Sequence, residues 1–289
     1  METIGIVSSG RGWHVRDLLR AAGELRMEVK QFSHESLQAS VVQRKLPGKS
    51  IDAFANCLAL IVRTMPLGSL EQVIFRMNAL YQRELAGCSV YNRTRCLEIC
   101  IDKYLTLVML AKAGICVPRT HVSQTAEAAM EGYEILGQEV VIKPIFGSEG
   151  RGILRVHDPD LAWRTFRTLE RSQAVIYQQE FIPHPGYDIR VFILDGRVLA
   201  AMKRSSQTDW RTNCSRGAVS EVVKLSAAQE ERAIRAAHAV QGWAVGVDIL
   251  QSPSGEEFVL EVNAVPGWRH IAPTCGVDVA KEMLKAIRK

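Results

Sequence analysis

The run from Phe258 to His270, FVLEVNAVPGWRH, sets a carboxylate and an amide two residues apart inside a strand-like apolar stretch. Alternate side chains of a strand share a face, so Glu261 and Asn263 are expected to point one way, with Leu260 and Val262 pointing the other. Upstream, Val245 to Leu250 reads VGVDIL, and Ser254-Gly255 between the two runs reads as a hairpin turn. Pairing Pro253 with Glu256 and counting along both strands places Asp248 opposite Glu261. Facing carboxylates repel unless something positive lies between them, and a hard divalent cation supplies that charge. Oxygen ligands from Asp248, Glu261 and the Asn263 amide favour magnesium or manganese over zinc. Magnesium commonly bridges to phosphate oxygens, which points to a nucleoside triphosphate nearby. The competing reading leaves Glu261 facing solvent on an edge strand and Asp248 capping a turn.

A second group of residues suits phosphate. The segment IFGSEGRGILRV lies between two strand-like runs, and Gly147, Gly150 and Gly152 would let a hairpin tip bring backbone N–H groups over an anion as a flap. Just before it, Lys143 stands in the apolar context VVIKP, and Lys103 lies in a preceding helical stretch. Both are placed to neutralise phosphates. Each of these features alone is more often an ordinary turn or a solvated lysine.

The elements that must position these groups form an α/β pattern. Ile4 to Val7 predicts a strand, SSGRGW a turn, and His14 to Leu25 an amphipathic helix ending near Arg26. That first turn lacks the spacing of a dinucleotide fingerprint or a P-loop, and reads as a substrate-side edge or plain connector. Ala59 to Val62 is a further strand, Leu70 to Leu85 a helix, and Val90-Tyr91-Asn92 closes this first unit. A single helix carrying Lys103 is predicted from Arg95 to Ala113, ended by Gly114 and Pro118. Strands follow at Val140 to Pro144 and Val175 to Phe181, with a helix from Leu161 to Arg171 between them. Asp188 to Leu194 and Arg197 to Met202 form a hairpin turning at Asp195-Gly196. Helices from Ala227 to Gln241 and from Val277 to Arg288 flank the final hairpin.

Composition narrows the function classes. With 289 residues, 47% hydrophobic and 23% charged, the chain has the make-up of a globular protein of one or two domains. Seven cysteines, an odd number spread from Cys57 to Cys275, argue against a disulfide framework and for buried thiols, Cys96 and Cys100 included. The net charge of +5 comes without the lysine and arginine tract that nucleic-acid binding usually shows. No apolar run reaches membrane-spanning length and no secretory leader is evident, so a cytoplasmic location is expected, with neither nucleic acid nor membrane as a partner. No G-x-S-x-G or H-E-x-x-H motif is present. His270 reads as a substrate-side or surface histidine, and Trp210 and Trp268 as packing residues that could also line a pocket for a flat ring.

In order, Lys103, VVIKP with Lys143, GSEGRG, YQQEFI, YDIRVFILDGRVLAAMKR, DWRTNCSRG, VGVDIL and EVNAVPG resemble the ATP-grasp superfamily, in particular its RimK-like branch of ATP-dependent carboxylate-amine ligases. The resemblance implies an α/β fold of the α+β ATP-grasp type: a small N-terminal α/β pre-ATP-grasp domain over 1–92, then an ATP-grasp domain over 93–289. The latter would comprise a central lid at about 116–182 and a C-terminal subdomain at about 183–289. It implies that Lys103 and Lys143 hold the ATP phosphates beneath a flap of Gly147, Ser148, Glu149, Gly150 and Gly152. Gln179, Glu180, Phe181 and Ile182 would be the hinge reading adenine through backbone groups, with Glu180 and Asp188 near the nucleotide. The metal ligands fall on Asp248, Glu261 and Asn263, holding Mg2+ or Mn2+, with two ions expected. Arg190 and Arg211, with Asn213 beside them, resemble the arginines that clamp the acceptor carboxylate and the developing acyl phosphate.

The implied reaction forms an amide through an acyl phosphate, releasing ADP and phosphate. Its partners are an amino acid, L-glutamate, and a small-molecule or peptide carboxylate; a homo-oligomer is compatible with the resemblance. The flap departs from the branch's protein-modifying members by carrying Glu149 and Arg151. It looks more like the members that add glutamate to a pterin or deazaflavin coenzyme. Two other readings stay open at this point: an ATP-grasp kinase acting on a hydroxyl, and a nucleotide-binding regulatory module without turnover.

Overall fold

The computed structural model describes residues 3–41, 54, 56–147, 152–212 and 217–287. Four of the residues singled out above, Ser148, Glu149, Gly150 and Asn213, lie outside the described residues, as do Arg151 and Cys214. The chain begins with β1 (Thr3–Val7), α1 (Trp13–Leu25), β2 (Val29–Phe32), β3 (Cys57–Val62), α2 (Leu70–Leu85) and β4 (Ser89–Tyr91). These strands form a parallel sheet in the order β2-β1-β3-β4. α2 starts at a reciprocal cap in which Ser69 and Gln72 each accept from the other's backbone N–H.

Next come α3 (Thr94–Ile101) and α4 (Lys103–Lys112), two helices where the periodicity predicts one. Asp102 takes an extended conformation, and its carboxylate accepts from the N–H groups of Tyr104 and Leu105. An aspartate that satisfies orphan donors at a helix start competes with continued helix, so the apolar spacing runs on while the backbone breaks. Lys103 therefore lies in the first turn of α4 rather than mid-helix.

A second sheet, antiparallel in the order β5-β8-β6-β7, is built by β5 (Thr120–Ser123), α5 (Ala126–Ile135), β6 (Val140–Lys143), β7 (Leu154–Val156), α6 (Pro159–Arg171) and β8 (Ile176–Glu180). This unit buries its own core, in which Tyr133, Val140, Val156, Phe166 and Ile176 are fully enclosed.

The third sheet, β11-β10-β9-β12-β13, is antiparallel throughout. It comprises β9 (Tyr187–Leu194), β10 (Arg197–Ser205), β11 (Val219–Val222), β12 (Ala244–Gln251) and β13 (Glu257–Asn263), with α7 (Ala227–Ala239) between β11 and β12 and α8 (Ile271–Cys275) and α9 (Val279–Ile287) at the end. β9 and β10 turn through Asp195 and Gly196 at φ 51° and 73°, the left-handed pair that a two-residue hairpin requires. One face of this sheet packs Val191, Ile193, Val245 and Val247 on Ala233, Ala236 and Ala237 of α7. On the opposite face, Phe192, Leu194 and Met202 join Ile4, Ile6 and Ile61 of the first sheet and Met283 and Leu284 of α9.

The last hairpin holds Asp248 opposite Glu261, as the sequence predicts, by a different route. Its tip spends three residues, Pro253 to Gly255, and Ser252 donates to the Glu256 carbonyl across it. Gln251 therefore pairs with Glu257 and Ile249 with Val259, one step from the expected register. A bulge at Leu260 absorbs that step. It also turns neighbours Leu260 and Glu261 to the same side, correcting the expectation that Leu260 points away.

Trp268 is fully buried: its indole N–H donates to Asp17 at 2.8 Å, and its backbone N–H to His14 Nε2 at 3.1 Å. Cys57, Cys88 and Cys96 are buried, Cys100 is half-buried rather than enclosed as expected, and Cys116 is exposed.

Asn92 joins the first and third sheets. Its amide donates to the carbonyls of Ala244 and Ala264, each at 2.7 Å, and accepts from the N–H groups of Trp243 and Ala244 at 2.6 and 2.9 Å. All of its hydrogen-bonding capacity is used in a buried setting, so truncation strands several backbone groups. Asn92→Ala is expected to destabilise the protein by about 3 kcal/mol and lower Tm by about 5–10 °C in thermal denaturation.

Candidate active site

An open cleft lies between the second and third sheets. Its apolar lining, Pro118, Val141, Ile153, Phe181, Ile182, Leu250 and Leu260, comes from both sides. The third sheet adds a charged wall of Asp188, Arg204, Asp248 and Glu261, and Lys103, Lys143 and Arg211 complete the charged lining. A flat heterocycle with an anionic tail matches such a division.

The charged wall follows from strand register. Arg204 of β10 faces Asp188 of β9; Arg190 of β9 faces Asp248 of β12, which faces Glu261 of β13. Arg190 Nη1 donates to Asp248 Oδ1 at 2.7 Å. Arg204 donates through Nε to Asp188 Oδ1 at 2.8 Å and through Nη2 to Asp188 Oδ2, and lies 3.1 Å from Asp248 Oδ2. These four side chains are all at least nine-tenths buried. Burial opposes ionisation of Asp248, but Arg190 and Arg204 outweigh it and hold its carboxyl below the usual range. Asp188 is raised by burial, which Arg204 only partly offsets. Burial, then the neighbouring Asp248, also raises Glu261.

The lysines enter from the other side. Gln179, oriented by donating to Thr120 Oγ1 and Tyr177 OH at 3.1 and 3.2 Å, accepts from Lys143 Nζ at 2.6 Å. Burial pushes Lys143 down to about 8, and it also lowers Lys103. Lys103 Nζ donates to the carbonyl of Gly147 at 2.8 Å, at the foot of the glycine-rich segment. A lysine in the first turn of a helix sits at the positive end of the macrodipole, where an anion is welcome and a lone cation is not.

Several expected site residues take other positions. Gln179 gives its side chain to Lys143 while lining the cleft. Glu180 gives its carboxylate to the backbone N–H and Nε of Arg119, at 2.7 and 2.6 Å, which ties its side chain to the segment before β5. The N–H groups of Glu180 and Phe181 bond to the carbonyls of Arg119 and Glu139. Ile182 N–H has no partner among the described residues. Asp188 faces Arg204, and Arg190 reaches the cleft only through Asp248. Arg211 is held by Asp209, with Nη2 to Oδ2 at 2.8 Å, and lines the cleft beside Trp210. Asn263 Oδ1 accepts from Val265 N–H at 2.8 Å, keeping a second lone pair. Gly152 adopts φ +70° against Pro144, outside the cleft wall. His270 is exposed.

Two residues of this site, Arg204 and His184, escaped the sequence reading, whereas Trp210 was named there as able to line a pocket. Arg204 ends a strand whose pattern shows no reason for a buried charge; only its pairing with Asp188 reveals one. His184 and Trp210 complete an aromatic edge around Phe181, on which Arg155 also stacks at 3.5 Å.

Among the described residues no group of three or more His, Cys, Asp and Glu could hold a metal. The oxygen set of Asp248, Glu261 and Asn263 fits a hard divalent cation: buried Asp248 faces half-buried Glu261, and the raised Glu261 marks a shortage of positive charge between them. No helix among the described residues is long and apolar enough to cross a membrane.

Residues 100–287 match the family model of the RimK-like ATP-grasp domain. The chain is 30% identical to the tetrahydromethanopterin:alpha-L-glutamate ligase of Methanosarcina acetivorans, over 100% of this chain and 99% of that protein. It is 29% identical to the alpha-aminoadipate–LysW ligase LysX of Sulfurisphaera tokodaii, over 77% of this chain and 82% of that one. The ATP-grasp ligase PsnB, solved with a minimal precursor, Mg and ADP, superposes with a TM-score of 0.76 at 22% identity, covering 99% of this chain and 96% of that one.

Lys143 makes nucleotide binding pH-dependent. Its folded value, about 8, lies below the ordinary 10.5, so the cation is present below pH 8 and is lost as the pH rises through it. With metal chelated, nucleotide affinity measured by calorimetry should fall above pH 8 by up to about tenfold per pH unit. In Lys143→Arg that decline should disappear.

Proposed function

Because the chain belongs to the RimK-like ATP-grasp family, we propose that it joins the amino group of L-glutamate to a carboxylate of an acidic, pterin-type coenzyme. It is an ATP-dependent ligase of a fold that binds ATP with magnesium. The observation that carries the reading is the opposition, in one cleft, of Lys103, Lys143 and Arg211 to the Asp248–Glu261 carboxylate pair. The full-length match to a relative that acts on tetrahydromethanopterin with glutamate supports the coenzyme as acceptor.

Adenine enters the apolar lining between Val141 and Ile153 on one side and Leu250 and Leu260 on the other, accepting from Ile182 N–H. Lys143, aimed by Gln179, and Lys103, at the start of α4, bind the phosphates. When bound, divalent cations on Asp248, Glu261 and Asn263, two of them on this reading, supply charge neutralisation of the triphosphate. Arg211, fixed by Asp209, orients the acceptor carboxylate and steadies the phosphoryl oxygens. That carboxylate attacks the γ-phosphorus, the bond to ADP breaks, and an acyl phosphate forms. The glutamate amine attacks the acyl carbon, a proton leaves the nitrogen, and phosphate departs. Arg211 faces the oxyanion that develops in that step. The glycine-rich segment at 147–152 shields the acyl phosphate from water. On this division residues 1–92 form the acceptor-side unit and 93–289 the catalytic one.

The purified chain, given ATP, magnesium, tetrahydropterin-type acceptors and isotope-labelled L-glutamate, is expected to yield a labelled glutamyl adduct by mass spectrometry. With hydroxylamine in place of glutamate, an acyl hydroxamate should accumulate. A phosphorylated acceptor with no hydroxamate would instead indicate a kinase. Asp248→Asn and Glu261→Gln should each lower kcat by more than about 100-fold, the loss that even outer-shell metal partners can cause.

A further inference from the structure

Both oxygens of Asp248 are occupied by guanidinium groups: Oδ1 by Arg190 at 2.7 Å, Oδ2 by Arg204 at 3.1 Å. The two arginines are not equivalent. Arg204 is anchored independently, through two hydrogen bonds to Asp188, whereas Asp248 is the partner of Arg190 among the described residues. The pose of Arg190 also depends on Gly246, two residues before Asp248 on the same face of β12. A Cβ built on Gly246 would lie 2.5 Å from Arg190 Cζ and 2.6 Å from its Nε and Nη2. The guanidinium therefore lies flat against a backbone that only glycine leaves bare.

We infer that Arg190 is an exchange latch, occupying on Asp248 the place of the divalent cation until cation and triphosphate arrive together. This rests on the reading of Asp248 as a metal ligand. Opening the pair yields one anionic and one cationic group at once: the carboxylate takes the metal, and the guanidinium swings towards the phosphate oxygens. Metal and phosphate each favour the same opened state, so each raises the affinity for the other by the same factor. Arg204 stays behind on Asp188 as a positioning residue, keeping Asp248 ionised while its partner changes. A fixed metal site facing a fixed arginine would show no such coupling.

The test needs no turnover. Mn2+ binding to the nucleotide-free protein is followed by loss of the free-ion electron paramagnetic resonance signal. Arg190→Met should bind Mn2+ about tenfold more tightly than the native protein, the scale of losing a charge-assisted competitor. Gly246→Ala keeps every charge but displaces the guanidinium, and should shift affinity in the same direction. Lys143→Met removes a nearby positive charge not paired with Asp248, and so sets the effect of charge alone. In chelator, Asp248→Asn should bind tripolyphosphate more tightly by calorimetry, because Arg190 is freed.

The latch is overturned if Gly246→Ala binds Mn2+ no more tightly than the native protein, or if Arg190→Met gains no more than Lys143→Met. The metal-ligand reading fails separately, if Mn2+ binding by Arg190→Met survives a second change, Asp248→Asn. Thermal melts confirm that each variant is folded; where Arg190→Met is not, Gly246→Ala decides alone.

Discussion

Asp248 and Glu261 meet across neighbouring strands on the wall of the cleft, a juxtaposition that a protein does not tolerate without compensation. At about 5 Å and the effective dielectric of a protein interior, two unit charges repel by about 3 kcal/mol. Compensation is arranged crosswise over the sheet. Arg190 and Arg204 balance Asp248, Asp188 fixes Arg204, and Glu261 is left with its ionisation opposed by burial and by Asp248. The order β10-β9-β12-β13 is what brings these residues into one row. Register, rather than any single side chain, is thus the quantity this fold must conserve, and a slip of one residue would send every member of the row to the opposite face.

The lysines obey a related constraint from the other side of the cleft. Burial lowers both Lys143 and Lys103, and the charge of Lys103 lowers Lys143 further. Among the described residues neither forms a salt bridge: Lys143 donates to an amide oxygen, Lys103 to backbone carbonyls. Neutral acceptors aim a lysine without cancelling its charge, so the attraction remains for the phosphates. The break at Asp102 adds the helix terminus to the same field. Charge in the third sheet is stored as ion pairs, and charge on the lysine side is left unpaired.

Much of this was readable from residue types alone. The facing of Asp248 and Glu261 came from alternation and turn position, because strand geometry offers few choices once a hairpin is granted. Even so, the right facing arose from a wrong tip: the loop holds three residues rather than two, and the bulge at Leu260 restores the count. Bulges leave no mark in hydrophobic patterning. The interruption at Asp102 was hidden for the opposite reason, since the apolar spacing continues through it and only the aspartate signals a new start. Short elements such as β2, β5 and β11, at four residues each, carry too few positions to establish a period. Arg204 and His184 became visible as site residues only when separate strands and loops were brought together. Ser148, Glu149, Gly150 and Asn213 remain expectations from the motif order.

The hydrogen bonds of Asn92 also bear on how such a chain could be recombined. Its side chain grips Trp243 and Ala244 at the start of β12, and Ala264 just beyond the end of β13, while its backbone follows directly from β4. A few residues on, the Arg63 guanidinium lies over the Trp268 ring at 4.4 Å and donates to the Pro266 carbonyl. The seam between the first sheet and the catalytic strands is therefore stitched by side chains rather than marked by a loop. A chimera that imports the first ninety or so residues from a relative, to redirect which acceptor is used, inherits its foreign Arg63 and Asn92 counterparts along with the new surface. Exchange of this module is then an exchange of how β12 and β13 are held, and the surface of the first unit and the alignment of those strands cannot be inherited independently.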